Sequence, residues 1–149
     1  MVTGRSDSDN FSSSSRDDRS RKSEDTKKSK IKLGDADLFR ALYNWSGGRG
    51  DGDVLGSGAF AVIKKATAID SGSIVAVKCI NVSGIKNDEE RLKKLSMIRF
   101  EIKLHMSLRA HPNIVQCKDA FIIREKNNKP QEFRLAMEFV DGTSTLYQP

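Results

Sequence analysis

The sequence predicts an α+β fold: a five-stranded antiparallel sheet carrying one long helix, behind a disordered tail. Three observations lead there. Apolar side chains are nearly absent before about Lys32 and abundant from Leu55 to Val140, so the core has to come from the later part of the chain. In that part, short apolar runs bounded by turn residues read as strands, and one longer run with helical spacing separates the first three strands from the last two. The resulting order is β-β-β-α-β-β, with no internal repeat. We divide the 149 residues into a Ser/Lys/Arg-rich tail (1–34), a short helix with a glycine-rich linker (35–52) and a folded lobe (53–149).

The tail mixes basic and acidic residues with serine and cannot bury enough surface to order itself. Ser6 and Ser15 each have an acid three residues on and are weak phosphate-acceptor patterns. The net charge is +6 and the pI about 9.4. A nucleic-acid partner is not expected, because the basic runs lack interleaved aromatics. The run from Arg19 to Lys30 also fits a nuclear-import patch. Cys79 and Cys117 show neither metal-ligand spacing nor a disulfide framework, which fits reduced thiols in a cytoplasmic or nuclear protein. No metal ligand set is expected, and His105 and His111 stand without a cluster around them. Nothing predicts a membrane span, a secretory signal or a myristoylation site.

Asp35 to Trp45 reads as a short helix, capped by Asp35, with Leu38, Phe39, Leu42 and Tyr43 on one side. Such a helix needs a surface to dock on; the flank of the lobe and a binding partner both fit. Ser46 to Gly52 reads as a linker. Strands follow at Asp53 to Ser57 and Phe60 to Ala68, around a glycine-rich turn. Asp70-Ser71-Gly72 turns the chain into Ser73 to Asn81, which is apolar on both faces as a central strand should be. Asn87, with Glu90 three residues on, opens a helix running to about Arg109. Met97, Leu104, Met106 and Leu108 are read as core rather than as a binding stripe, with some of them left to face outward. Pro112 closes that region. Ile114 to Glu125 and Gln131 to Val140 form a hairpin around Lys126 to Pro130.

Chemistry enters at Leu55-Gly56-Ser57-Gly58-Ala59-Phe60-Ala61-Val62-Ile63. Two glycines one residue apart let backbone N–H groups approach a phosphate with no Cβ in the way. A dinucleotide-binding reading would need a helix immediately afterwards, and here a strand follows. In Val75-Ala76-Val77-Lys78, Ala76 and Lys78 share a face of their strand. Ala76 leaves room for a flat base, and the lysine, about 7 Å further on, reaches its phosphates. A lysine in so apolar a strand needs a partner, and Glu101 on the long helix is the one the sequence offers. Cys79, beside it, reads as core rather than as a reactive thiol.

These residues resemble the amino-terminal lobe of the eukaryotic protein kinase family over about residues 53–142. Gly56-x-Gly58-x-x-Ala61-x-Ile63 is similar to the family's nucleotide-covering loop, and Val75 to Lys78 to its lysine strand. Glu101 stands at its helix glutamate, His111-Pro112-Asn113-Ile114-Val115 at the turn after that helix, and Leu135 to Gly142 at the last strand and hinge. The resemblance implies ATP as ligand, with Mg²⁺ accompanying it. It implies that Leu55, Ile63 and Ala76 sandwich the adenine, that Met137 is the gatekeeper, and that backbone groups of Glu138 and Val140 read the adenine edge. It also implies that Gly56, Ser57, Gly58, Ala59, Phe60 and Ala61 cover the phosphates, and that Lys78, paired with Glu101, binds the α- and β-phosphates. The run Gly58 to Ala66 most resembles calmodulin-dependent and death-associated kinase types.

The sequence departs from the family at Ala61, which replaces a third glycine, at His105, where an aliphatic residue is usual, and in the loose Gly-Arg-Gly-Asp-Gly lead into the first strand. It contains no His-Arg-Asp and no Asp-Phe-Gly, and so neither the catalytic base nor the principal Mg²⁺ ligand. The expectation is the ATP-binding lobe of a serine/threonine kinase, not catalytically competent alone, whose longer form acts on a protein substrate. The alternative is a non-catalytic nucleotide-binding or decoy module that binds a kinase regulator.

Overall fold

The computed structural model describes residues 33–47 and 52–142; the tail up to residue 32, residues 48–51 of the linker and residues 143–149 lie outside them. The elements run α1 (Ala36–Leu42), β1 (Tyr43–Trp45), β2 (Val54–Ser57), β3 (Val62–Ala68), β4 (Ile74–Asn81), α2 (Asp88–Ser107), β5 (Cys117–Arg124) and β6 (Pro130–Glu138). The strands form one antiparallel sheet in the order β1-β3-β4-β6-β5, with β2 also paired to β3.

The expected α+β architecture, an antiparallel sheet with one long helix, is present, and one edge strand of the sheet is split into two segments. Asp35 caps the first helix as expected, accepting from the Leu38 N–H at 2.8 Å. The helix then stops at Leu42 rather than continuing to Trp45. Tyr43, Asn44 and Trp45 turn extended and pair with Ala68, Thr67 and Ala66. Aromatic residues suit a pleated, half-buried surface better than a helix end, and here that surface is the edge of β3. β1 covers the later half of β3 and β2 the earlier half, so the two are parts of one interrupted edge strand. At the interruption Asp53 N–H donates to Ser46 O at 2.8 Å, and Lys65 bonds both, donating to Asp53 O and accepting from Ser46 N–H.

The sheet is covered on both faces. On its outer face Phe39 and Tyr43 pack with Ala66, Val75, Val77, Phe121 and Ala136. Phe121 stands edge-on to both rings, at centroid separations of 5.2 and 5.9 Å. The Arg134 guanidinium lies over Phe39 and Trp45, at 4.6 and 5.1 Å, while its Nε bonds Glu132 at 2.5 Å. The first helix therefore docks on the lobe itself. Gly34 extends that attachment, donating to Ala120 O and accepting from Ile122 N–H.

On the inner face, Leu95, Ile98 and Ile102 of α2 pack against Ile80, Ala120, Ile122, Phe133 and Leu135. Asn87 caps α2 through the Glu90 N–H at 2.9 Å. Arg91 donates to Val82 O at 2.9 Å and also to Pro130 O, which fastens the start of the helix to the end of β4 and the start of β6. Met106 packs on this cluster as expected. Met97, Leu104 and Leu108 do not: they are exposed, together with Leu92 and Phe100. A helix apolar on two sides can bury only the side that meets the sheet, and sequence spacing alone does not say which that is.

Smaller shifts affect the ends. β5 begins at Cys117 rather than Ile114, because Ile114 closes a turn back to His111 O. The His111 ring nitrogen accepts from Asn113 N–H at 3.0 Å and so fixes that turn. β6 ends at Glu138, two residues before Val140.

Candidate functional site

The strand register places the candidate residues on the inner face. Residues directly opposite across an antiparallel pair point to the same side. Ile63 pairs with Lys78, Lys78 with Leu135, and Ala76 with Met137, so Ile63, Ala76, Lys78 and Met137 share a face. Leu55 has no partner: Val54 pairs with Lys64 and Gly56 with Ile63, which makes Leu55 a bulge in the edge strand. A bulge re-aims its side chain, and Leu55 is exposed. Glu138 follows Met137 at the end of β6, with its N–H donating to Gln116 O at 3.0 Å, and Val140 lies exposed just beyond.

Between β2 and β3 the chain makes a tight flap over residues 58–61, closed by Gly58 N–H to Ala61 O at 2.9 Å. A Cβ added at Gly56 or Gly58 would meet no atom within 4 Å, and neither residue has a left-handed φ. The fold itself does not require glycine at either position. At Gly52 it does: φ is +81° and an added Cβ would lie 2.6 Å from the Trp45 ring.

Lys78 Nζ lies 2.5 Å from Glu101 Oε1, which joins β4 to α2. The lysine side chain is 27% exposed and the carboxylate 47%, so the pair is open to a ligand and adds little to stability by itself. A cleft of about 810 Å³ opens beside it, lined by the flap with Phe60 at its tip, by Lys78 and Glu101, and by Lys94 and Met97 further up α2. Leu55, Gly56, Ser57, Ile63, Ala76, Met137, Glu138 and Val140 do not line this cleft. Ile63 stands directly opposite Lys78 with Leu55 bulged beside it, and Ala76, Met137, Glu138 and Val140 lie towards the start of β4 and the end of β6. The lysine thus stands at the junction of the inner-face strip and the cleft.

Two contacts at the site escaped the sequence reading. The Lys94 amine sits 4.1 Å from the centroid of the Phe60 ring; the available signal was the seven-residue spacing of Lys94 and Glu101, which puts them on one helix face. His105 holds Val115 O at 2.8 Å through its ring nitrogen, so it ties the end of α2 to the following turn. Burial pushes the pKa of the Cys79 thiol up to about 11, with Glu132 adding to the effect, and burial followed by Asp119 does the same for Cys117. No helix among the described residues is long and apolar enough to cross a membrane.

The family model described as "Protein kinase domain" matches residues 50–148. Among similar proteins, the serine/threonine-protein kinase cds1 of Schizosaccharomyces pombe is 36% identical over 88 residues, covering 59% of this chain and 18% of that protein. Calcium/calmodulin-dependent protein kinase type 1 of Caenorhabditis elegans is 40% identical over 91 residues, or 60% of this chain and 22% of that kinase. Myosin light chain kinase 3 of Rattus norvegicus is 36% identical over 90 residues, again 60% of this chain and 10% of the relative. The chain therefore spans less than a quarter of the length of these three relatives.

Proposed function

This chain belongs to the protein kinase family, and on that premise we propose that its described residues form the ATP-binding lobe of a serine/threonine kinase, able to hold nucleotide but not to transfer its phosphate unaided. The observation that carries this reading is the meeting of the Lys78 amine and the Glu101 carboxylate in a cleft shared with the flap. Gly56 and Gly58 support it. Both leave space that no protein atom fills, and a phosphate chain with its oxygens towards backbone N–H groups suits that space. Lys78 binds the α- and β-phosphates, and Glu101 holds the amine where they arrive. Leu55, Ile63 and Ala76 enclose the purine, with Met137 limiting its depth. The Glu138 carbonyl and the Val140 amide and carbonyl read its edge.

Mg²⁺ accompanies ATP throughout the family, yet the residues present do not fit it. Among the described residues no three His, Cys, Asp or Glu side chains come together as a metal site. The sequence holds no His-Arg-Asp and no Asp-Phe-Gly, so the base that would accept a substrate hydroxyl proton has to come from residues outside it. A protein substrate is accordingly a partner of a longer protein.

The test is a thermal melt of the purified chain with and without ATP and Mg²⁺. At ten times Kd the ligand contributes about 1.4 kcal/mol, which raises the Tm of a lobe this size by roughly 6–11 °C. Lys78→Met keeps the apolar stem and removes the amine. It should abolish the shift while leaving the ligand-free Tm close to wild type, since the open ion pair contributes about 0–1 kcal/mol. An ATP shift that survives Lys78→Met, or no shift in wild type, refutes the reading.

A further inference from the structure

We infer that Phe60 and Lys94 form a latch between flap and helix, so that the flap stays down over the phosphate side of the site only while α2 holds Glu101 against Lys78. This deepens the nucleotide-binding reading above and rests on it for its functional meaning, though not for its geometry. Phe60 is 73% exposed at the tip of the flap, and the core does not hold it. Its recorded ring contact is the Lys94 ammonium, 4.1 Å from the centroid. A cation over an aromatic face is attracted to the ring's negative face.

The behaviour of Lys94 makes the contact informative. Glu90 lies four residues earlier, the spacing at which a helical glutamate normally takes a lysine, and both side chains line the same cleft. Among the described residues Lys94 nevertheless forms no ion pair, and its amine turns to the flap. Lys94 and Glu101 are seven residues apart, about 10.5 Å along one side of the helix. The inner-face elements thus grip α2 at two points on that side: β4 through Glu101, and the flap through Lys94. Displacing α2 breaks both, and a flap that lifts releases the upper one. Phe60 and Lys94 are positioning residues in this scheme; Lys94 acts on the nucleotide through the flap.

An exposed cation–ring pair shifts such an equilibrium by about two- to fivefold. Hydrogen exchange measured by mass spectrometry on the full chain without nucleotide reads it directly. Lys94→Met keeps the stem and the helix propensity but removes the charge; it should speed exchange over residues 57–61 by about two- to fivefold. Lys94→Arg should restore the wild-type rate, Phe60→Leu should match Lys94→Met, and Phe60→Trp should exchange no faster than wild type. Equal flap rates in wild type and Lys94→Met overturn the latch, as does an arginine variant as fast as the methionine one, or a change confined to α2. ATP titration of the same proteins separates the two readings. Wild type that shows the flap effect but binds no ATP keeps the latch and sinks the nucleotide site. Wild type that binds ATP with a flap indifferent to residue 94 does the reverse. With both intact, Lys94→Met binds ATP about two- to fivefold more weakly.

Discussion

At Gly34 an added Cβ would lie 2.6 Å from the Phe121 ring and 2.9 Å from Leu38 Cδ2, whereas at Gly58 it would meet nothing. Phe121 is fully buried and wedged edge-on between Phe39 and Tyr43, so its ring cannot yield. Gly34→Ala should therefore destabilise the lobe by about 1–3 kcal/mol, the usual cost of overpacking. Gly58→Ala should do the opposite, gaining about 0.4–1 kcal/mol because alanine has fewer unfolded conformations to lose and its φ is already acceptable. On the proposed nucleotide-binding reading it should also weaken ATP binding, since the methyl group would occupy room that reading gives to phosphate. Urea melts and ATP titrations of both variants check the pair. A Gly58→Ala protein that binds ATP as wild type does would mean the open space has no ligand to receive. The two glycines were unequally legible. Gly56-x-Gly58 announces itself by spacing and by the strand that follows, while the need for Gly34 arises from a ring far along the chain that no local pattern connects to it.

The element least legible in the sequence was the edge strand. Phe39 and Tyr43 fall on one helical face, so the residues up to Trp45 read as one helix and the glycines after them as a linker. What decides the structure is the unsatisfied edge of β3, which recruits Tyr43 to Trp45 on one side of the interruption and Val54 to Ser57 on the other. By contrast β4 and α2 were legible to within a residue or two, and the β5–β6 hairpin to within three. Their signals are local: a run apolar but for Lys78 and the closing Asn81, an Asn87 cap, and a loop turning at Asn128, whose φ of 65° suits asparagine. The Asp53 N–H to Ser46 O bond at 2.8 Å has the form of a β-turn closure if only two residues separate its ends. Replacing residues 47–52 with Asn-Gly should therefore keep the fold. Shortening the connection is worth up to about 1 kcal/mol, so the urea midpoint should stay or rise. A variant that loses the cooperative transition would show that the ladder around Lys65 depends on the longer connection.

At the scale of the whole lobe, the sheet is covered by α1 on its outer face and α2 on its inner one, but α2 carries a second apolar side that meets nothing described. Leu95, Ile98 and Ile102 face the sheet, while Met97, Phe100 and Leu104 are 59%, 69% and 53% exposed. The sequence shows both sets with equal clarity, and only the position of the sheet tells core from surface. A contiguous apolar strip on a small lobe favours association, so the chain by itself should sediment as a concentration-dependent mixture at tens of micromolar, as a rough scale. Replacing Phe100 and Leu104 together with serine should remove that dependence. Because both side chains stand in solvent, the double variant should melt close to wild type, as exposed substitutions usually shift stability by no more than about 0.5 kcal/mol each. The same changes at Ile98 and Ile102 would empty the inner core and unfold the lobe. Comparing the two pairs therefore separates surface from core without reference to any ligand. A wild-type chain that stays monomeric at every concentration tested would mean that the exposed strip lacks the adhesive character its composition implies.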